Sequence, residues 1–190
     1  MHPVRLVGET VVLREFRIDD LDDAVAVVGD DRVTNWLSFD SRSRTETDAM
    51  IRGIIERSSA TPRTEYYLAV ALPADDHLVG FARLAPTGVK AGKLGYAIAA
   101  DHWRRGYATD AVRTLVAFAF EALGLHRISA AIGPDNKASM AIVETLGFVR
   151  EGQIRDHVFT NGAWRDSVLY SLLADEWERI GTDLPADSAT

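Results

Sequence analysis

The stretch His102-Trp103-Arg104-Arg105-Gly106-Tyr107-Ala108-Thr109-Asp110-Ala111 joins an apolar, strand-like run from Leu94 to Ala99 to a helical run from Ala108 to Leu123. A strand that turns through glycine into a helix aims the unpaired N–H groups of the first helical turn, and the positive end of the helix dipole, at one point. Such a point is a seat for phosphate. The dinucleotide spacing G-x-G-x-x-G and the P-loop spacing G-x-x-x-x-G-K-[ST] are both absent from the chain. Ala108, Ala111, Val112, Leu115, Ala119 and Ala122 form one apolar stripe that faces inward, and Gly124 stands where a left-handed cap closes a helix. Ile128 to Ile132 then reads as a short strand. Strand, helix and strand make a βαβ unit, parallel and right-handed by rule.

Downstream, Gly133-Pro134-Asp135-Asn136 breaks the strand, and Lys137 to Leu146 is helical up to Gly147. Phe148 to Phe159 and Ala163 to Leu173 are strands around Asn161-Gly162, a strong hairpin signal. Upstream, Thr10 to Phe16 is a β-branched first strand, and Asp19 and Asp20 open a helix carrying Leu21, Ala24, Val25 and Val28 that closes at Gly29. The segment from Val33 to Phe39 fits either state. Thr45 with Asp48 reads as a capping box for a second helix reaching about Arg57, with Met50, Ile51, Ile54 and Ile55 inward. Tyr66 to Leu72, His77 to Leu84 and, after a loop from Ala85 to Gly92, Lys93 to Ala99 complete the strands. The order implies one α/β domain with a mixed sheet, and from Gly181 onward a frayed tail.

The 190 residues are 47% hydrophobic and 26% charged, enough for one globular domain with its own core. Without cysteine there is no disulfide framework or thiolate nucleophile. His2, His77, His102, His126 and His157 show no ligand spacing, so no metal site is expected. A formal net charge of −7 argues against nucleic acid as a partner and suits a cationic one such as an amine. The chain start lacks signal-peptide character and no apolar run approaches ~18 residues, so a cytoplasmic protein without a membrane partner is expected.

Trp103-Arg104-Arg105-Gly106-Tyr107-Ala108-Thr109 resembles the pyrophosphate loop Q/R-x-x-G-x-G/A of the GNAT superfamily of acetyl-CoA-dependent N-acetyltransferases, with Trp103 at the Q/R position. Asn136-Lys137-Ala138-Ser139 followed by Glu144-Thr145-Leu146-Gly147-Phe148 is similar to the signature of the RimJ/RimL-like subgroup, the ribosomal-protein alanine acetyltransferase type. Leu13-Arg14, Gly95-Tyr96, the run Gly147 to Gly152 and the run Asn161 to Asp166 extend the likeness over about residues 8 to 173. The resemblance implies a GNAT domain over 8–173 and a C-terminal extension over 174–190 with a flexible tail. It implies a mostly antiparallel, twisted central sheet with one parallel, splayed pair and helices on both faces.

It also implies a chemistry. Acyl transfer from a thioester to an amine requires a held donor, a stabilised oxyanion and proton handling. By resemblance, the backbone of Arg104, Arg105, Gly106, Tyr107, Ala108 and Thr109 holds the pyrophosphate of acetyl-CoA, and the two arginines also reach the ribose phosphate. Ile98 and Ala99 pair with the pantetheine arm, and Asn136 either touches that arm or simply caps its helix. The place of the tyrosine acid used by many members falls on Val143, leaving Ser139 to serve the departing sulfur. Trp36 and Glu15 are the candidate residues of the acceptor cleft. His157, which alternates with Val158, should face the other side of the sheet as a solvated residue. Trp36, Trp164 and Trp177 read as core or groove-wall residues. The expected enzyme, a monomer or homodimer, acetylates a protein N-terminal amine or a small amine by direct attack in a ternary complex. The alternative, raised by the missing tyrosine and unlocated base, is a catalytically silent acetyl-CoA-binding module.

Overall fold

The computed structural model describes residues 3–183. Strands β1 (Arg5–Val7), β2 (Val12–Glu15), β3 (Tyr66–Ala71), β4 (Leu78–Thr87), β5 (Ala91–Ile98), β6 (Arg127–Ile132), β7 (Val149–Thr160) and β8 (Ala163–Leu173) form one sheet in the order β1-β2-β3-β4-β5-β6-β8-β7. Among the described residues only β5 and β6 run parallel; the other neighbours are antiparallel. The helices are α1 (Leu21–Val28), α2 (Asp31–Thr34), α3 (Arg44–Ser58), α4 (Tyr107–Ala117), α5 (Lys137–Thr145) and α6 (Ala174–Asp183).

Alternation along the strands builds a core on each face. Leu68 and Val70 of β3 join Leu115 and Val116 of α4 and Val143 of α5, with Trp177 of α6 packed alongside. Ala69, Phe81 and Ala97 meet Ala24 and Val27 of α1 and Ile51 and Ile54 of α3 on the opposite face. The mixed sheet, the βαβ unit and the helices on both faces are as the sequence implies. At the hairpin, Asn161 and Gly162 take φ of 51° and 71°, the pair of left-handed residues that a two-residue turn requires.

Several boundaries differ, each for a local reason. Strand β1, unanticipated, is a three-residue edge strand too short to show a period. The capping box of α3 belongs to Ser43 and Glu46, whose side chains accept from each other's N–H at 3.3 and 2.8 Å; Asp48 instead pairs with Arg52 at 2.8 Å. The loop expected over Ala85 to Gly92 shrinks to a turn, since β4 runs to Thr87 and β5 starts at Ala91. The ambiguous Val33 to Phe39 is one short helical turn, α2, followed by turns. Helix α4 widens into a π turn at Phe118–Ala122, and Ala122, expected inward, is exposed. Residues 181–183, expected to fray, continue α6, while 184–190 lie outside the described residues.

Asp110, in the first turn of α4, is buried and accepts hydrogen bonds from the N–H groups of Glu9, Thr10 and Val11 at 3.1, 2.7 and 3.0 Å and from the Thr10 hydroxyl at 2.9 Å. This carboxylate ties the β1–β2 turn to the helix that follows the glycine loop. Burial alone would raise its pKa, but the four donors hold it below the ordinary carboxylate range. The stabilisation is therefore present above the unfolded-state pKa of ~3.9 and is lost as pH falls through the lower folded value. Asp110→Ala leaves the buried Val11 N–H and the part-buried Glu9 and Thr10 N–H groups without that acceptor and is expected to cost about 2 kcal/mol in urea unfolding at pH 7, with the gap to wild type narrowing below about pH 4. Equal unfolding free energies at pH 7 would contradict this role.

Candidate active site

Parallel pairing between β5 and β6 ends at Leu94 opposite Ala130. Beyond that point β5 continues to Ile98 against β4 alone, and β6 continues to Ile132 against β8 alone. The strands part, and a cleft of about 1000 Å³ opens between them, running from Lys93 and Gly95 past the loop His102 to Thr109 and along the start of α5. Main-chain groups of successive strand residues point to opposite edges. The Ala99 N–H donates to Val79 on the β4 side at 2.8 Å, so the main-chain groups of Tyr96 and Ile98 face the opening. Ile98 lines the cleft. Ala99 does not: its N–H is already spent on β4, and it lies outside the cleft wall.

The loop departs from β5 under one fixed tie. Trp103 donates its indole N–H to the Ile98 carbonyl at 2.7 Å, which anchors the turn to the end of the strand. Arg104 and Gly106 then take φ of 62° and 80°, and helix α4 starts at Tyr107. Among the described residues, the N–H groups of Arg104, Arg105, Gly106, Tyr107, Ala108 and Thr109 have no protein acceptor, and all six residues line the cleft. Consecutive unpaired donors at a helix N-terminus form a concave site for an anion. Asp110, the acid of that first turn, gives its oxygens to the β1–β2 turn and so leaves the donors uncovered. The Arg104 and Arg105 side chains are exposed at the rim.

Across the opening, Asn136 caps α5 by accepting from the Ser139 N–H at 3.1 Å. Ser139 is half-buried in the cleft wall, and its hydroxyl has no partner among the described residues. The Tyr96 phenol donates to the Ser139 carbonyl at 3.2 Å, linking β5 to α5 across the gap. Burial pushes the Tyr96 pKa up to about 12, which keeps it a donor. Sequence reasoning noted Tyr96 only as part of a likeness; its role as a strut depends on the splay. Val143, one turn beyond Ser139, is wholly buried in the core.

At the other end, Trp36 is 48% exposed and lines the cleft with Leu37 and Ser38. Glu15 is a correction. It is held by Arg63 at 2.7 and 3.0 Å and by the Val4 N–H at 3.1 Å, away from the cleft, as a structural ion pair. His157 is another, since it lines the cleft together with Val158. The β7 register slips between Ile154 and Val158, with Asp156 at φ 46°, and the irregularity breaks the alternation. The His157 Nδ1 lies 3.0 Å from the Ser167 hydroxyl. Trp164, read as core or wall, stands exposed on the hairpin with its ring edge-on to Phe159 at 5.4 Å.

Residues 10–149 match the acetyltransferase (GNAT) domain family. The chain belongs to this family. The uncharacterized N-acetyltransferase YoaA of Bacillus subtilis is 28% identical over 178 residues, covering 91% of this chain and 98% of that protein. The ribosomal protein uS5-alanine N-acetyltransferase of Escherichia coli is 29% identical over 115 residues, 59% of each chain. The fold matches Mycobacterium smegmatis RimJ in complex with CoA-disulfide with a TM-score of 0.81 at 23% identity, over 98% of this chain and 93% of that one. The protein is thus an N-acetyltransferase with RimJ/RimL-like relatives, in a family that uses acetyl-CoA. The cradle fits that donor: six unpaired N–H groups suit a diphosphate, and the facing edges of Tyr96 and Ile98 suit an amide-bearing arm.

A Cβ on Gly106 would meet no atom within 4 Å, so the glycine serves conformation and access rather than packing. Gly106→Leu is expected to cost folding about 1–2 kcal/mol, from the left-handed backbone. Coenzyme A binding, measured by calorimetry, should fall more than about a hundredfold, because the side chain leaves at the mouth of the donor cradle. Binding that falls no further than stability would make the glycine structural only.

Proposed function

We propose that this N-acetyltransferase transfers the acetyl group of acetyl-CoA to a primary amine by direct attack within a ternary complex, the acceptor being the α-amine at a protein N-terminus. The observation that carries the reading is the alignment of three features along one cleft: the six unpaired N–H groups after β5, the opened edge of β5, and the unbonded Ser139 hydroxyl. Acetyl-CoA supplies a thioester, a reactive acyl donor that needs no enzyme nucleophile. The loop holds its diphosphate, and Arg104 and Arg105 at the rim meet the ribose phosphate. The N–H groups of Tyr96 and Ile98 pair with the pantetheine arm, and one of them polarises the acyl carbonyl.

The amine nitrogen forms a bond to the acyl carbon as the carbon–sulfur bond breaks. Ser139, its carbonyl tied to Tyr96 and its N–H to Asn136, presents its hydroxyl to the departing sulfur and donates a hydrogen bond as negative charge builds there. The amine proton leaves through water in the cleft. An α-amine suits a site of this kind: its unperturbed pKa of ~7.7–8.0, against ~10.4 for lysine, leaves much of it neutral near physiological pH. The ribosomal-protein acetyltransferases among the relatives support a protein terminus over a small amine.

Ser139→Ala is expected to lower kcat by about a hundredfold, the effect of one well-placed proton donor, while the Kd for acetyl-CoA changes less than about threefold. Thiol release and calorimetry on the same preparations check the pair of values. Unchanged turnover would remove Ser139 from the reaction, and acetyl-CoA binding without turnover on any peptide or small amine would leave a silent binding module.

A further inference from the structure

The face of the sheet that carries Lys93 also carries Arg83 and Arg127, and all three line the cleft. Their positions follow from the register. Arg83 on β4 lies opposite Gly95, two residues along β5 from Lys93, and Arg127 on β6 lies opposite Ala91, two residues the other way. The three cations therefore form a diagonal across three strands, with diagonal neighbours ~7–8 Å apart. Like charges at such separations repel one another unless something neutralises them.

Neutralisation is incomplete. Glu65 receives Arg83 at 2.8 Å but also Arg57 at 2.6 Å, and Glu151 receives Arg127 at 2.5 Å. Lys93 is exposed and has no partner among the described residues. On this wall Arg57, Arg83, Lys93 and Arg127 face Glu65 and Glu151, with Glu176 also acting on Arg127, which still leaves an excess of positive charge on a chain whose formal net charge is −7. Lys93 lies opposite Ser129, one pair before the strands part. On this face α1 and α3 cover Phe81 and Ala97, while Lys93 stays exposed. The row and the parting of the strands thus line one cleft.

We propose that Lys93, with Arg83 and Arg127 beside it, selects acceptors whose reacting amine is accompanied by a carboxylate. The inference rests on the acetyl-transfer reading of this cleft and deepens it by naming the acceptor chemistry. The carboxylate sits on Lys93, the amine lies at the parting of β5 and β6, and Trp36 and Leu37 flank the acceptor's apolar part. Such a carboxylate comes either from an acidic residue beside a peptide N-terminus or from a free amino acid.

Calorimetry on the protein loaded with coenzyme A tests this with paired probes: the amidated peptides Ala-Asp-Ala and Ala-Asn-Ala, and free alanine against alaninamide. Tighter binding of the aspartate peptide by tenfold or more, weakened by added salt, is the expected result. Lys93→Met should reduce the ratio below threefold and Lys93→Glu should reverse it, with coenzyme A affinity within twofold of wild type as the control for an intact donor site. A preference for alanine over alaninamide assigns the carboxylate to a free amino acid; a preference confined to the peptides assigns it to an acidic terminus. No difference within either pair, or a preference that survives both substitutions, overturns the proposal. Thiol release on the same samples keeps the two readings apart. Carboxylate preference without turnover sinks acetyl transfer and upholds this selection, whereas equal turnover and equal binding of the paired probes sink the selection alone.

Discussion

The parallel strands β5 and β6 separate after a short ladder, and the connection between them delivers a helix N-terminus to the gap. The separation leaves main-chain groups on the inner edge of β5 without a strand partner. Buried away from water, each such unpaired group would carry the desolvation penalty of a lost hydrogen bond. The open cleft keeps them solvated and makes them available. The same step frees the loop after β5 to turn through two left-handed residues into α4, so donors from strand edge and helix end line one continuous groove.

The remaining structure holds that opening in shape. Trp103 pins the loop to the last carbonyl of β5, Tyr96 braces the strand against α5, and Asp110 fastens the first turn of α4 to the β1–β2 turn. None of these three polar contacts lies within an element; each joins two. Far from the gap, the buried Arg14 guanidinium bridges Asp20 at 2.7 Å and Asp76 at 2.9 Å, locking the start of the α1 region to the β3–β4 turn. Removing one partner of a buried pair strands a charge, so ties of this kind fix geometry more than they add net stability.

Much of the architecture was legible because local chemistry and global fold agree. Asn161-Gly162, the glycine turn before α4 and the alternation through β3 each point to the element that forms. The misplaced site residues share a cause: pairing with another element. Glu15 looked available in its strand, yet Arg63 takes both its oxygens. His157 obeyed alternation on paper, but a register slip in β7 turns it into the cleft. Ala99 sits one residue past the useful edge, a matter of which way its N–H points and so of register with β4. The Lys93 row is invisible in sequence, because its members come from three strands and line up only once the sheet is assembled.

The central claim is that the unpaired amides after β5 grip the diphosphate of a coenzyme A thioester. Backbone amide resonances of isotope-labelled protein, followed during titration with coenzyme A, test it at the atoms concerned. The account predicts that the amides of Arg104 to Thr109 shift most and exchange more slowly with solvent once the ligand is bound. Saturating ligand that leaves those amides unmoved, with the perturbation elsewhere on the surface, would contradict it.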